Sequence, residues 1–406
     1  MKDIAIYTLT SALHDAQAVD KTTKEFLGEL FPDGGYDFRN ADYTDFGSHA
    51  LDLIYVRTGG TEGEFLKILP KLKTKHFYLL TSGKSNSLAA SMEILSYLRQ
   101  QGLRGEILHG SAPSVRARAA SLASAAKARA ALRGLRLGVL GKPSDWLISS
   151  HASYETVKEK LGIELVDIPM QEVKDAVASA SPVEIDGRPT ELVDSDHSQR
   201  VAQAIPGALK IHAGLKEVVR SRALGGFTIR CFDLLTEVGN TGCLSLAAFN
   251  AEGIPAGCEG DVPALLSMTL ARALTGRTGF MANPSRMDSE SGRIVFAHCT
   301  VPLDMVDDAR LDTHFESGIG VGIRGHIPET AVTVFKVSGD LKRVFAAEGV
   351  IERNLSDPNL CRTQIDLRLD DPSLIASYFL TNPIGNHHII VPGRHAAELK
   401  AIIQDL

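Results

Sequence analysis

Cysteine is scarce in this chain: five residues in 406, at Cys231, Cys243, Cys258, Cys299 and Cys361, with no CxxC pair among them. An odd, widely spaced set excludes a disulfide framework and reads as free thiols in a reducing, cytoplasmic setting. Long apolar runs are also missing. No stretch of about 18 such residues occurs, which excludes a membrane-spanning helix. The opening "MKDIAIYTLTSAL" is apolar but short and broken by hydroxyls, so it reads as a first strand and not as an export signal. Nor is there a large excess of either charge. A net charge of −6 gives no basic footprint for nucleic acid or an anionic membrane, which leaves small molecules as the expected partners. There is no GxSxG, so a nucleophile-elbow serine enzyme is set aside.

What is present is enough apolar residue, 44% of 406, to bury a large core in two or three domains. Strand-like runs at 3–9, 51–57, 76–82 and 105–110 alternate with helical patterns such as "SNSLAASMEILSYLRQQG", the spacing of a parallel α/β layer. Residues 112–136 are Ala-rich and helical. No acid occurs between Ile107 and Ser144 while seven Lys and Arg do, which predicts either a solvated connecting helix or a face for anions or another subunit.

"LRLGVLGKPSDWLISS", "SYETVKEKLG" and "IELVDIP" then read as strand, turn, helix and strand, one βαβ unit. Its turn "GKPSDW" lacks GxGxxG and GxxxxGK[ST], so no nucleotide cofactor is expected. That turn places Asp145 and the only tryptophan, Trp146, past the carboxyl end of a strand, where open α/β sheets bind ligands. Beyond about residue 275 the texture changes to alternating, β-branched runs such as "GRIVFAHCTV", "TAVTVFKVSG" and "NHHIIVPG", followed by the helix "RHAAELKAIIQ". The expected fold is therefore α/β: parallel-sheet units at 1–134 and 135–275, then an antiparallel β-rich, barrel-like unit at 276–406.

The stretch "IPAGCEGDVPALLSM" carries Glu259 and Asp261 at a strand-to-helix handover. Asp261 suits the N-cap of the helix that follows, with Pro263 in its first turn. One acid is enough for a cap, which leaves Glu259 in need of another partner. His298 in "FAHCT" and His387–His388 in "GNHHII" lie in apolar, strand-like surroundings where a charged imidazole is poorly solvated. Glutamate and imidazole meeting on one ion form an N/O set that suits Mn²⁺ ahead of Zn²⁺ or Fe²⁺. "THFESG" (His314, Glu316) and "NLCRTQ" (Arg362, Gln364) interrupt the β-like runs: Arg362 and Gln364 are candidates to hydrogen-bond hydroxyls or an anion and Glu316 a candidate substrate contact, and hairpin edges explain these stretches equally well.

The order of "CEGD" ending a strand, "GFMANP" soon after, "AHC" on a strand and "GNHH" near the end resembles the L-fucose isomerase and L-arabinose isomerase superfamily, especially its shorter branch. The resemblance implies two Rossmann-like domains and a β-rich domain, Mn²⁺-dependent aldose–ketose interconversion through an ene-diol, and a trimeric or hexameric homo-oligomer. It implies Glu259 as first acid and base, His387 or His388 as the late histidine, and His298 as an additional one. Where the family has its second acid, this chain has Asn283, which offers a carbonyl oxygen to a metal but is no general base near pH 7. Asp233 in "RCFDLL" and then Glu316 are the acids that could replace it. A non-catalytic sugar-binding or sensing protein, or a carbohydrate enzyme of altered chemistry, is the alternative that Asn283 favours. The basic stretch and Arg362 leave open a sugar bearing phosphate, sulfonate or carboxylate.

Overall fold

A computed structural model describes residues 2–404 and 406. The chain forms two compact units that divide at Lys127/Ala128.

The first unit is a parallel sheet built from β1 (Ile4–Leu9), β2 (Tyr36–Asn40), β3 (Leu51–Val56), β4 (His76–Thr81) and β5 (Arg104–Leu108), in the order β2-β1-β3-β4-β5. Its helices are α1 (Ala16–Leu30), α2 (Glu62–Ile68) and α3 (Ser87–Gln100). "IAIYTL" is buried along its whole length, as expected of a central strand covered on both faces. β2 was not expected: "YDFRN" is polar and half-exposed, so it carries little apolar signal.

The basic stretch is α4 (Ala112–Leu132), and the boundary between the units falls within it. Val115, Ala119, Leu122, Ala125 and Leu132 are buried, and its arginines are largely occupied. Arg116 donates to the Glu29 and Leu30 carbonyls at the end of α1, Arg118 clasps Glu106 with two hydrogen bonds, and Arg129 donates to the Ala401 carbonyl. These bonds favour the connecting-helix reading over an anion-binding face.

The second unit opens with another parallel sheet. It contains β6 (Arg136–Leu140), β7 (Glu164–Ile168), β8 (Gly226–Ile229) and β9 (Ala256–Gly257), ordered β7-β6-β8-β9. Helices α5 (Tyr154–Leu161), α6 (Met170–Ser179), α7 (Ser198–Ser221), α8 (Phe232–Glu237), α9 (Cys243–Ala251) and α10 (Val262–Thr275) accompany it. Strands β10 (Phe280–Asp288) and β11 (Arg293–His298) follow. After the two-stranded ribbon of β12 (Asp308–Asp312) and β13 (Gly322–His326) come β14 (Ala331–Val337), β15 (Val344–Asn354), β16 (Thr363–Leu369), β17 (His388–Pro392) and α11 (Ala396–Gln404). Six of these strands close into an antiparallel barrel, β10-β11-β16-β15-β14-β17. The architecture is thus parallel α/β sheets with a C-terminal antiparallel barrel, as expected from the strand texture.

α10 positions the site. Every residue from Val262 to Ala271 is buried, because the helix is apolar all round and packs on β8 and β9 as well as on β14 and β17 of the barrel. Its first turn is therefore fixed from both sides. Among the described residues, no helix is long and apolar enough to cross a membrane.

Candidate metal centre

Glu259 sits in the two-residue gap between Cys258, at the end of β9, and the cap of α10, in a left-handed conformation with φ 61°. A bulky residue in that region is strained, and such strain is tolerated when neighbours fix the backbone. They do so here. Gly260, with φ 73°, lets the chain lie against the β6 loop, where an added Cβ would stand 2.6 Å from the Lys142 carbonyl oxygen. Ser144 N–H donates to the Glu259 carbonyl at 2.8 Å. Gly260→Ala is therefore expected to disturb this turn, lowering the thermal midpoint by several degrees in a calorimetric scan.

The Glu259 carboxylate is held at both oxygens. Oε2 accepts from Trp146 Nε1 at 2.6 Å, and Oε1 lies 3.6 Å from His387 Nε2. Burial pushes this carboxyl up, but His387, Trp146 and the His298 ring outweigh it and bring the pKa down to about 2.

Asp261 caps α10 as expected, accepting from Ala264 N–H at 2.8 Å through Oδ1. Its other oxygen has further work that the sequence did not reveal. Oδ2 accepts from His387 Nδ1 at 2.9 Å and from Lys336 Nζ at 3.3 Å, with all three residues at most 1% exposed. Against burial, Lys336 and His387 hold the Asp261 carboxyl well below its usual range. Asp261→Asn would leave the Lys336 ammonium buried without its counter-charge. It is expected to cost about 3–5 kcal/mol of stability, read from urea unfolding.

Because Asp261 takes the Nδ1 proton, His387 turns Nε2 toward Glu259. That nitrogen is buried and has no hydrogen-bond partner. Burial favours the neutral ring, yet the Asp261 and Glu259 carboxylates raise its pKa to about 9, so without a metal Nε2 carries a proton toward Glu259, and a bound cation would take the place of that proton. His298 closes the group from the end of β11. Its Nδ1 meets the Thr300 hydroxyl at 2.8 Å, its ring lies edge-on to His387 at 5.5 Å, and burial first, then His387, lowers its pKa to about 3. One ligand atom from each of Glu259, His298 and His387 falls within 4.8 Å of the others. A negative oxygen, a neutral imidazole and an orphaned imidazole nitrogen aimed at the same point fit a divalent cation, with Asp261 as the outer carboxylate that fixes the His387 tautomer.

The other candidates separate. His388 does not join the group, since successive strand residues face opposite ways. Its Nε2 meets Tyr378 Oη and its Nδ1 the Asn386 carbonyl, both at 2.9 Å, inside the aromatic core of Phe345, Tyr378 and Phe379. Asn283 lies on β10, between β11, which ends at His298, and β17, which begins directly after His387. Its Oδ1 accepts from Asn386 Nδ2 at 3.0 Å, so it steadies the residue before His387.

Asp233, ranked first as a replacement acid, is paired with an arginine. Arg230, three residues earlier, donates to it at 3.1 Å and to Asp145 at 2.8 and 3.2 Å. Arg230 and Asp233 line a separate cavity of about 600 Å³ with Lys142, Met170 and Glu237.

Glu316 does sense the site: burial, then the charge of Glu259, pushes its carboxyl up. Arg362 is a clamp for the turn that carries it, donating to the Thr313 carbonyl and hydroxyl at 2.8 Å and lying 3.3 Å from Asp312. Trp146, half-exposed, stacks edge-on with Phe232, which stacks edge-on with His314. This aromatic wall links Glu259 to the Glu316 turn. Phe232 went unnoticed in the sequence, and His314 was visible only as part of "THFESG".

No family model matches the chain. Half of it is similar to known sugar isomerases. The chain is 24% identical over 218 residues to the sulfoquinovose isomerases of Priestia aryabhattai and Priestia megaterium, a segment covering 51% of this chain and 48% of each of them. It thus spans about half the length of the curated relatives it matches.

Proposed function

We propose that this protein is a divalent-metal-dependent aldose–ketose isomerase. The observation that carries the reading is the orphaned, buried Nε2 of His387 facing Glu259 beside His298. These three residues would hold the ion, and the mixed N/O set favours Mn²⁺. A cation bound there supplies Lewis acidity to the carbonyl and hydroxyl oxygens of an open-chain sugar.

Proton transfer then needs a carboxylate whose pKa is matched to neutral pH. Glu259, near 2 and tied to Trp146, is better suited as a ligand than as the base the family resemblance implies. Glu316, with its carboxyl pushed up, is the better base: it takes a proton from C2 and, after exchange with solvent, delivers one to C1. The half-exposed Trp146 ring and Phe232 offer an apolar wall for the sugar. Similarity to sulfoquinovose isomerases makes sulfonated sugars the first substrates to try.

The test is metal content by plasma mass spectrometry on protein loaded with Mn²⁺ and desalted. About one Mn²⁺ per chain is expected in the parent protein. A metal-free parent would contradict the reading and favour a sugar-binding protein, to which Asn283 already lends support.

A further inference from the structure

The two sides of the Glu259 turn carry a pair of thiols that the proposed chemistry does not use. Cys231 Sγ and Cys258 Sγ are 2.9 Å apart and both residues are free cysteines. They sit at the ends of the neighbouring strands β8 and β9, which are paired at Thr228 and Gly257. Cys231 N–H is anchored to the Ile229 carbonyl at 2.8 Å, and Gly260 N–H to the same carbonyl at 3.0 Å, so the two thiols belong to one rigid corner. A disulfide requires sulfurs about 2.05 Å apart, so closure asks for a movement of roughly 1 Å. Both residues are buried, 8% and 5% exposed, so the proposal is confined to a small oxidant.

Each thiol is covalently next to a part of the site. Cys258 precedes Glu259, and Cys231 precedes Phe232, the ring against Trp146. Trp146 in turn donates to Glu259.

We propose that Cys231 and Cys258 form a reversible, hydroperoxide-driven disulfide that shifts the Glu259 turn and loosens its grip on the metal. The metal arm rests on the proposed function; the disulfide arm does not. One sulfur attacks the peroxide, the O–O bond breaks, the attacking cysteine becomes a sulfenic acid and water (or an alcohol) leaves. The second sulfur displaces the sulfenic oxygen as water. Overall, two thiols lose two electrons and two protons, one S–S bond forms and the peroxide is reduced.

The experiment treats the full chain with hydrogen peroxide and reads three signals: peptide mapping under non-reducing conditions, emission of the single tryptophan, and retained Mn²⁺. Expected are a 231–258 cross-link, a change in Trp146 emission and a drop in retained Mn²⁺ of tenfold or more, all restored by dithiothreitol and all absent in Cys231→Ser and Cys258→Ser. A cross-link elsewhere, or only sulfinic products, overturns the proposal. So does a 231–258 cross-link that leaves Trp146 emission unchanged. Reduced protein that never retains Mn²⁺ contradicts the isomerase reading instead, and the cross-link and the emission of Trp146 still decide the disulfide and its coupling to the turn.

Discussion

Glu259→Gln is expected to abolish stable Mn²⁺ retention and to lower turnover of any confirmed substrate by at least a thousandfold. The carboxylate is the one anionic member of the Glu259, His298 and His387 group, so an amide removes the charge that balances the ion. Losing an outer partner of a metal ligand already lowers affinity by about 10–100-fold, and losing a ligand exceeds that. The amide of that variant keeps an oxygen for Trp146 Nε1, so the fold should survive; far-UV circular dichroism and metal titration together check both statements. His387→Ala should match it in metal loss. His388→Ala should instead lower stability, by opening a cavity among Phe345, Tyr378 and Phe379, while the variant keeps its ion.

Glu316→Gln is expected to show the converse pattern, with full Mn²⁺ retention and kcat down by about 10²–10⁴-fold, the usual contribution of a positioned acid–base group. The pH profile gives the sign. Burial, the larger cause, raises the Glu316 pKa above that of an ordinary glutamate; the Glu259 charge adds to this only in the metal-free protein, because a bound cation would offset it. The ionised form is the base, so kcat is full above that raised pKa and falls as pH drops through it. The acid limb should therefore lie higher than an exposed glutamate would place it, and it should vanish from the residual rate of the Gln variant.

Much of the fold was legible because its signals are local. Apolar runs of strand length, the helix that follows Asp261, and alternating runs after residue 275 all follow from period and composition. β2 and α7 were harder: one is a polar, half-exposed strand, and the other carries Pro206 inside its span. The approach of Glu259 to His298 and His387 was expected from the sequence, since a second acid beyond the cap had no structural use. The choice between His387 and His388 was not legible, because adjacent strand residues take opposite faces and the sequence does not say which face is which. Asp233 misled for a related reason. A strand-end position is shared by every residue of the following turn, and the i, i+3 neighbour Arg230 claims its carboxylate only once the chain is folded. Likewise Lys336, on a barrel strand, reaches Asp261 across 75 residues, a pairing no local pattern encodes.

The most direct test of the central claim is deuterium uptake during turnover. Chelator-stripped protein, reloaded with Mn²⁺ or left empty, is incubated in D₂O with a panel of aldoses that begins with sulfoquinovose, and the sugars are analysed by mass spectrometry. The account predicts a ketose product carrying solvent deuterium in the Mn²⁺ sample, none in the empty one, and none with Glu316→Gln above its residual rate. A ketose formed equally well without metal, or no conversion of any sugar by protein that holds its Mn²⁺, would contradict it.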